Sequence, residues 1–136
     1  MSLWIDDLAD YIDSNSAALT IGTNLFVGSL PDDPQSDSAV GLMAYDGTAP
    51  TTTFGAVIPK VERPRLQVMS RHNYDYAAAL TLSYSIMSIL TPIANQSIGT
   101  TTFHSVTALG SPMPMGPDSS LRLRFVNNYD IAMVYK

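Results

Sequence analysis

The sequence predicts an α+β fold: a mainly antiparallel β-sheet with two α-helices packed on one face, and a long loop arm. Three observations lead to this prediction. Two segments carry apolar residues at helical spacing, and several others alternate apolar and polar residues as half-buried strands do. Clusters of proline, glycine and aspartate separate these segments. Their order is helix, two strands, loop, strand, helix and two strands.

The first helix is predicted over residues 3–14, where apolar side chains recur at helical spacing and four aspartates occupy the remaining positions. Ser2 is suited to cap the start of this helix, and Asp6 and Asp7 suit the positive end of its dipole. The simplest interpretation of the aspartates is a solvated helix face.

The second helix is predicted to start at His72 or Asn73 and to run to about Leu90, before Pro92. Ala79 provides a small packing position within it. The apolar stripe that should face the core consists of Leu82, Ile86, Ile89 and Ile93.

The strand prediction is clearest in the segment 63–73. Leu66 and Val68 should point to one face of the sheet, and the alternate side chains to the other. Those alternate side chains are Arg65, Gln67, Met69 and Arg71. The other predicted strands are residues 24–30, 38–47 with an Asp46-Gly47 turn at its end, 100–111 and 119–135.

The octet LPDDPQSD (30–37) places three aspartates between two prolines and could suggest a metal site or acid–base chemistry. A turn explains it with fewer assumptions. Proline cannot donate a bond to a β-ladder, and aspartate and serine side chains bond their own backbone in turns. Neither histidine has a ligand spacing to these acids, so no metal site and no cofactor are predicted.

The segment 47–64 contains three prolines and shows neither helical nor strand periodicity, so it is predicted to be a long loop. It also carries the apolar residues Phe54, Val57 and Ile58. Exposed apolar side chains on a loop favour an arm that packs on another subunit.

The length of 136 residues predicts one domain over 1–136. Only 14% of the residues are charged, which suits a subunit that buries much of its surface against neighbours. With no cysteine, disulfides and thiolate metal sites are excluded. The acidic start lacks the basic region of a secretory signal, and no apolar run is long enough to span a membrane, so a soluble cytoplasmic protein is expected.

Charge is unevenly distributed along the chain. The net charge is −5, which argues against nucleic-acid binding as the main activity. No lysine or arginine precedes Lys60, whereas eight aspartates do. This separation could create faces of opposite sign for head-to-tail ring contacts, or the two halves could intermix in the fold.

Motifs for catalysis are missing from the sequence. There is no Walker loop, no GxGxxG, no HExxH and no GxSxG to place a nucleophile. His72 is expected at a strand–helix junction and His104 within a strand, and both are interpreted as structural or surface residues. No catalytic residue is therefore predicted.

Three blocks resemble a pattern found in small proteins of tailed bacteriophages, namely the tail terminator or minor capsid (head–tail joining) proteins. The first block is matched by Pro64, Leu66, Gln67, Val68, Arg71 and Tyr74. The second is matched by Leu25, Phe26, Val27, Gly28, Leu30, Pro31, Asp32 and Pro34. The third is matched by Gly116, Asp118, Arg122, Phe125, Asn128 and Tyr129, although Leu121 stands where the family has glycine and Ser119 where it has an acid.

This resemblance implies a structural virion protein of the tail or neck, assembled in the host cytoplasm. It would be a subunit of a ring, by analogy a hexamer, that caps the tail tube and stops its polymerisation. Its partners would be other copies of itself, the tail tube protein and the head-side connector or stopper protein. DNA would pass through the lumen without specific binding.

The candidate contact residues are Phe54, Val57, Ile58, Arg65, Arg71, Arg122 and Arg124. The acids of residues 1–46 could meet these arginines across a subunit boundary or face the lumen, and pairing within one chain is the alternative. Two other functions stay open at this point. One is another neck or tail ring protein, such as a stopper, adaptor or tube protein, and the other is a small enzyme or ligand-binding domain.

Overall fold

The computed structural model describes residues 3–28, 30, 38–51, 61–73, 75–118 and 121–135. Two helices and a mostly antiparallel sheet confirm the α+β prediction. The helices are α1 (Trp4–Asn15) and α2 (Tyr76–Leu90). The strands are β1 (Leu25–Val27), β2 (Ala39–Thr51), β3 (Val61–Asn73), β4 (Ala94–Ile98), β5 (Thr101–Ala108), β6 (Met113–Pro114) and β7 (Arg122–Tyr135).

The sheet has the strand order β1-β2-β3-β7-β5-β4, and the short β6 also pairs with β7. Among the described strands, β1 departs from the antiparallel pattern because it is parallel to β2. The two long strands β3 and β7 lie at the centre and pair from Glu62–Met133 to Asn73–Arg122. Their register sets which side chains share a face of the sheet.

The core lies between one face of the sheet and the two helices. As predicted, Leu66 and Val68 of β3 are buried on this face. Tyr129, directly opposite Leu66, is buried with them. α2 contributes Ile86 and Leu90. The remaining core side chains include Trp4, Leu8 and Ile12 of α1, and Val40, Leu42, Ile93, Phe103, Val106, Ile131 and Met133.

Both helices begin differently from the prediction. The residue before α1 is Leu3, which makes no side-chain capping bond. α2 begins at Tyr76, not at His72 or Asn73, and the Asp75 carboxylate accepts a bond from the Ala78 backbone N–H at 3.0 Å. His72 and Asn73 instead extend β3, because β7 provides pairing partners for both.

The predicted loop 47–64 is shorter in the structure, since β2 continues to Thr51 and β3 starts at Val61. Asp46-Gly47 is not a turn. The register of β2 against β3 shifts there, as at a β-bulge, and the strand continues. Phe54, Val57 and Ile58 lie outside the described residues, as do positions 31–37 of the aspartate octet. Their roles stay predictions.

Sequence patterns also missed two strands. β4 is a polar strand without regular alternation, so its sequence gives no strand signal. It is recognised in the structure by its pairing with β5. β6 has two residues in a proline-rich segment that was interpreted as a turn. A strand of two residues is too short to show a periodicity.

Asp7 is buried, so the interpretation of all four helix aspartates as a solvated face is wrong for this residue. Its Oδ2 accepts a bond from the Thr101 hydroxyl at 2.6 Å and lies 3.3 Å from the Thr100 backbone nitrogen. The neighbouring Gly99 has a φ of +59°, and a Cβ there would overlap the Asp7 carboxylate. Asp7 thus ties α1 to the turn between β4 and β5.

The Gly99→Ala variant should lower the free energy of unfolding by about 2–4 kcal/mol, because a Cβ is strained at this φ and displaces the Asp7 carboxylate. Gly110→Ala is the matched control, since open space surrounds Gly110, and it should change stability by less than about 0.5 kcal/mol. Urea denaturation measures both. Equal effects of the two substitutions would refute the packing of α1 on this turn.

A second buried polar contact lies in the core between neighbouring positions of β7. Asn127 Nδ2 donates a bond to the Tyr129 hydroxyl at 3.1 Å, and both side chains are buried. Burial raises the pKa of Tyr129 to about 12 from its ordinary 10.0, although the bond from Asn127 opposes this change. A phenolate is therefore disfavoured in the folded protein.

Because the folded pKa of Tyr129 exceeds the unfolded value, its contribution to stability is complete below pH 10.0 and lost as pH rises through about 12. A pKa difference of about two corresponds to a loss of roughly 2–3 kcal/mol. Tyr129→Phe should remove this part of the alkaline decline. Tyr84→Phe, at an exposed tyrosine, is the control and should retain it. Denaturation between pH 9 and 12 measures the free energy of unfolding of both variants. An equal alkaline decline in the two would contradict the raised pKa of Tyr129.

Candidate functional site

One face of the sheet carries neither of the two described helices, and we call it the helix-free face. On β3 it presents Arg65, Gln67, Met69 and Arg71, which alternate with the buried Leu66 and Val68 as the sequence predicted. On β7 the residues directly opposite these four are Asp130, Asn128, Val126 and Arg124. The same alternation places Arg122 on this face, so the structure brings all four predicted arginines to one face.

The four arginines nevertheless differ in their surroundings. Arg65 Nε lies 2.7 Å from Asp130 Oδ1 on the adjacent strand, and both side chains are partly exposed. A partly exposed pair of this kind contributes little to stability, about 0–1 kcal/mol. Arg71 is buried, directly across from Arg124. The contact roles of these residues stay predictions.

Arg122 is also buried and forms a close pair with Asp118 within the chain. Asp118 Oδ2 accepts a bond from Arg122 Nε at 2.9 Å, and Oδ1 accepts one from the Arg122 backbone N–H at 2.9 Å. Arg122 is 1% exposed. Arg122 therefore pairs with an aspartate of its own chain, as in the alternative of pairing within one chain that was stated from the sequence.

Arg124 is the arginine whose charge is available to a partner. It is half-buried, and its guanidinium donates to the backbone carbonyls of Gly116 and Pro117 at 3.3 and 3.4 Å. Within the described part of the chain it contacts no carboxylate. Two carbonyls orient the group but leave its full charge uncompensated.

The turn between Asp118 and Arg122 explains part of the family pattern. Gly116 has a φ of +78°, and Leu121 has a φ of +62° at the position where the family has glycine. The Leu121 N–H donates to the Asp118 carbonyl at 2.9 Å. A position with positive φ after a tight turn favours glycine, so Leu121 is in a strained conformation there. Its side chain is 60% exposed.

An exposed apolar strip, the methionine ridge, consists of Leu109, Met113 and Met115. Leu109 and Met115 donate backbone bonds to Asn128 and Arg124 of β7, and Met113 pairs with Val126. Because paired residues share a face, the ridge lies beside β7 on the helix-free face. The three side chains are 47%, 51% and 44% exposed. Sequence reasoning missed the ridge because its residues lie in and around a proline-rich turn. The alternation of Met113 and Met115 was the available signal.

A small cavity of about 80 Å³ lies beside the ridge, lined by Leu109, Met113 and Asn128 among others. The Oδ1 atom of Asn128 is buried and accepts no hydrogen bond from the described part of the chain. A buried acceptor without a donor is costly, so this amide is suited to receive a donor from outside the subunit.

Features that would support catalysis or cofactor binding are sparse. His104 is exposed, and its Nδ1 lies 3.2 Å from Asn95 Oδ1, whereas His72 is half-buried on β3. Among the described residues, no three metal-binding side chains come together. An opening of about 420 Å³ beside α2 is a shallow groove lined mainly by alanine, serine and threonine. No helix in the described ranges has the length and apolar character needed to cross a membrane.

The family model of the bacteriophage tail terminator protein matches residues 8–135. The chain belongs to this tail terminator family. The match confirms the resemblance drawn from the three blocks, and it makes the chain a structural protein of the phage tail or neck.

A solved structure supports the same fold. A chain from the virion of a native gene transfer agent particle matches with a TM-score of 0.64 at 12% sequence identity. The match covers 93% of this tail terminator homologue and 84% of the other chain. No curated protein matches the sequence.

The strained leucine gives a direct test of the turn. Leu121→Gly should raise the free energy of unfolding by about 0.5–1 kcal/mol, because relief of the positive φ exceeds the entropy that glycine loses on folding. Leu121→Ala keeps the strain and should bring no gain. Urea denaturation of both variants measures the difference, and a glycine variant less stable than the alanine variant would contradict the turn geometry.

Proposed function

We propose that this protein is a tail terminator subunit that forms a closed ring, by analogy a hexamer, on the last ring of the tail tube. The ring stops polymerisation of the tube and joins it to the head-side connector or stopper protein. Membership of the tail terminator family is the main support for this proposal. The virion is the expected location, after assembly in the host cytoplasm.

The observation that carries the assembly role is the helix-free face. It combines an exposed apolar ridge with Arg124, whose charge meets no carboxylate in the described part of the chain. Apolar side chains surrounded by polar groups are typical of protein interfaces. A solitary subunit would leave this surface in water, whereas a ring buries it.

The proposed mechanism is complementarity without catalysis. Tube subunits stack because each ring presents the surface that the next ring recognises, and a terminator matches that surface without presenting it again. Growth then ends at the terminator. The net charge of −5 favours passage of DNA through the lumen without specific binding, since the phosphates are not attracted.

Electron microscopy with the tube protein of the same phage tests the proposal. The purified chain should form rings, bind tube ends and shorten the tubes that grow in its presence. Met113→Asp should abolish these effects because it places a charge on the apolar ridge. Tyr84→Asp is the matched control, at a residue 48% exposed on α2 compared with 51% for Met113, and should retain them.

Three outcomes would contradict the proposal. Polymerisation of the chain into long tubes by itself would identify a tube protein. Binding only to the head-side connector would favour a stopper or adaptor. A monomer without effect on the tubes would exclude a terminator.

A further inference from the structure

We propose that the helix-free face of one subunit docks on helix α1 of a second copy, so that neighbours in the ring contact each other through opposite layers of the fold. The inference rests on the proposed function, because it names the partner surface within the proposed ring. The helices and the helix-free face lie on opposite sides of the sheet. The two surfaces therefore cannot meet within one subunit.

The positive charges of the described chain are gathered on one side. Every described basic residue lies on β3 or β7, and the alternation of the strands places all of them on the helix-free face. They are Arg63, Arg65, Arg71, Arg122 and Arg124. Asp130 and Asp118 pair with Arg65 and Arg122, and Arg71 is buried. Of the other two, Arg124 lies beside the methionine ridge, which makes it the charge best placed to meet an external carboxylate.

α1 presents the complementary charge. Asp10 is exposed and Asp6 half-buried, and neither has an ion-pair partner among the described residues. Their spacing of four residues makes them like-charged neighbours on the helix, which destabilises it. Asp13 lies in the last turn, where the helix dipole disfavours a carboxylate and no basic residue compensates. These acids weaken the isolated helix, and a basic partner surface would offset that cost.

Apolar groups accompany the charges on both surfaces. Leu3 precedes α1 and is 53% exposed. Ile21 is 41% exposed and is held beside α1, because its backbone N–H donates to Asp13 Oδ2 at 3.3 Å. These side chains provide apolar contacts for the methionine ridge of the partner. Asn128 Oδ1, which accepts no hydrogen bond from the described residues, adds an acceptor beside that ridge.

The placement of the two surfaces gives a head-to-tail contact. When one copy uses its α1 surface, its helix-free face stays available for the next copy, and the series ends only when the ring closes. A contact between two identical surfaces would instead stop at a dimer. Complementary charge therefore points to a second copy of this chain as the partner of the helix-free face.

Charge exchange tests the contact. Arg124→Asp and Asp10→Arg should each weaken ring formation by roughly tenfold or more, because each places like charges across the contact. The double variant restores opposite charges and should recover most of the assembly. Sedimentation and electron microscopy, with and without tube protein, measure the rings. Ser88→Arg, at an exposed position of α2 outside the proposed contact, controls for added positive charge and should have a much smaller effect.

Disulfide trapping provides a second measurement, since the natural chain contains no cysteine. The variant with both Asp10→Cys and Met113→Cys should form a ladder of covalent oligomers on oxidation. A mixture of the two single variants should stop at dimers. The control variant combines Met113→Cys with Ser88→Cys on α2 instead of Asp10→Cys. We expect no ladder from this control.

The outcomes separate this inference from the proposed function. Rings that form unchanged in both charge variants, with no specific ladder, would overturn the contact while leaving the terminator role intact. Arginine variants that form normal rings but fail to cap tubes would assign the helix-free face to the tube protein and also overturn the inference. A chain that forms no rings even with tube protein would overturn both.

Discussion

The pairing of β3 with β7 is the constraint on which the rest of the structure depends. These strands pair from Glu62–Met133 to Asn73–Arg122 without a register shift. Because side chains alternate between faces along each strand, this single register determines which residues enter the core and which lie on the helix-free face. A slip of β3 by one residue against β7 would turn Leu66 and Val68 outwards and bring Arg65 and Arg71 into the core.

Buried polar groups secure the elements around this central pair. Asp7 holds α1 on the turn at Gly99, Asp118 binds Arg122 at the entry to β7, and Asn127 bonds the Tyr129 hydroxyl in the core. Each contact joins groups that would be costly to bury alone. They position the helix layer and the strand ends, and so they also position the two surfaces proposed to meet in a ring.

Other polar groups lack an opposite charge or a donor in the described part of the subunit, and they have a different meaning. Arg124, Asp10 and the Asn128 amide oxygen are charges or acceptors that the described part of the subunit does not satisfy. Together with the methionine ridge they form surfaces suited to another protein. This agrees with a family of phage tail components, which assemble with other proteins of the tail or head.

The sequence by itself determined the α+β class, the two helices, the alternation of β3 and the tail terminator family, because these depend on local periodicity and on ordered blocks of residues. Tertiary structure decided the rest. His72 and Asn73 belong to β3 because β7 provides pairing partners for them. Asp7 is buried because the Thr101 hydroxyl donates to its carboxylate beside the turn at Gly99, and Arg122 is buried in a pair with Asp118. The gathering of the arginines on one face also required the register, since contacts between distant segments leave no periodic signal in the chain.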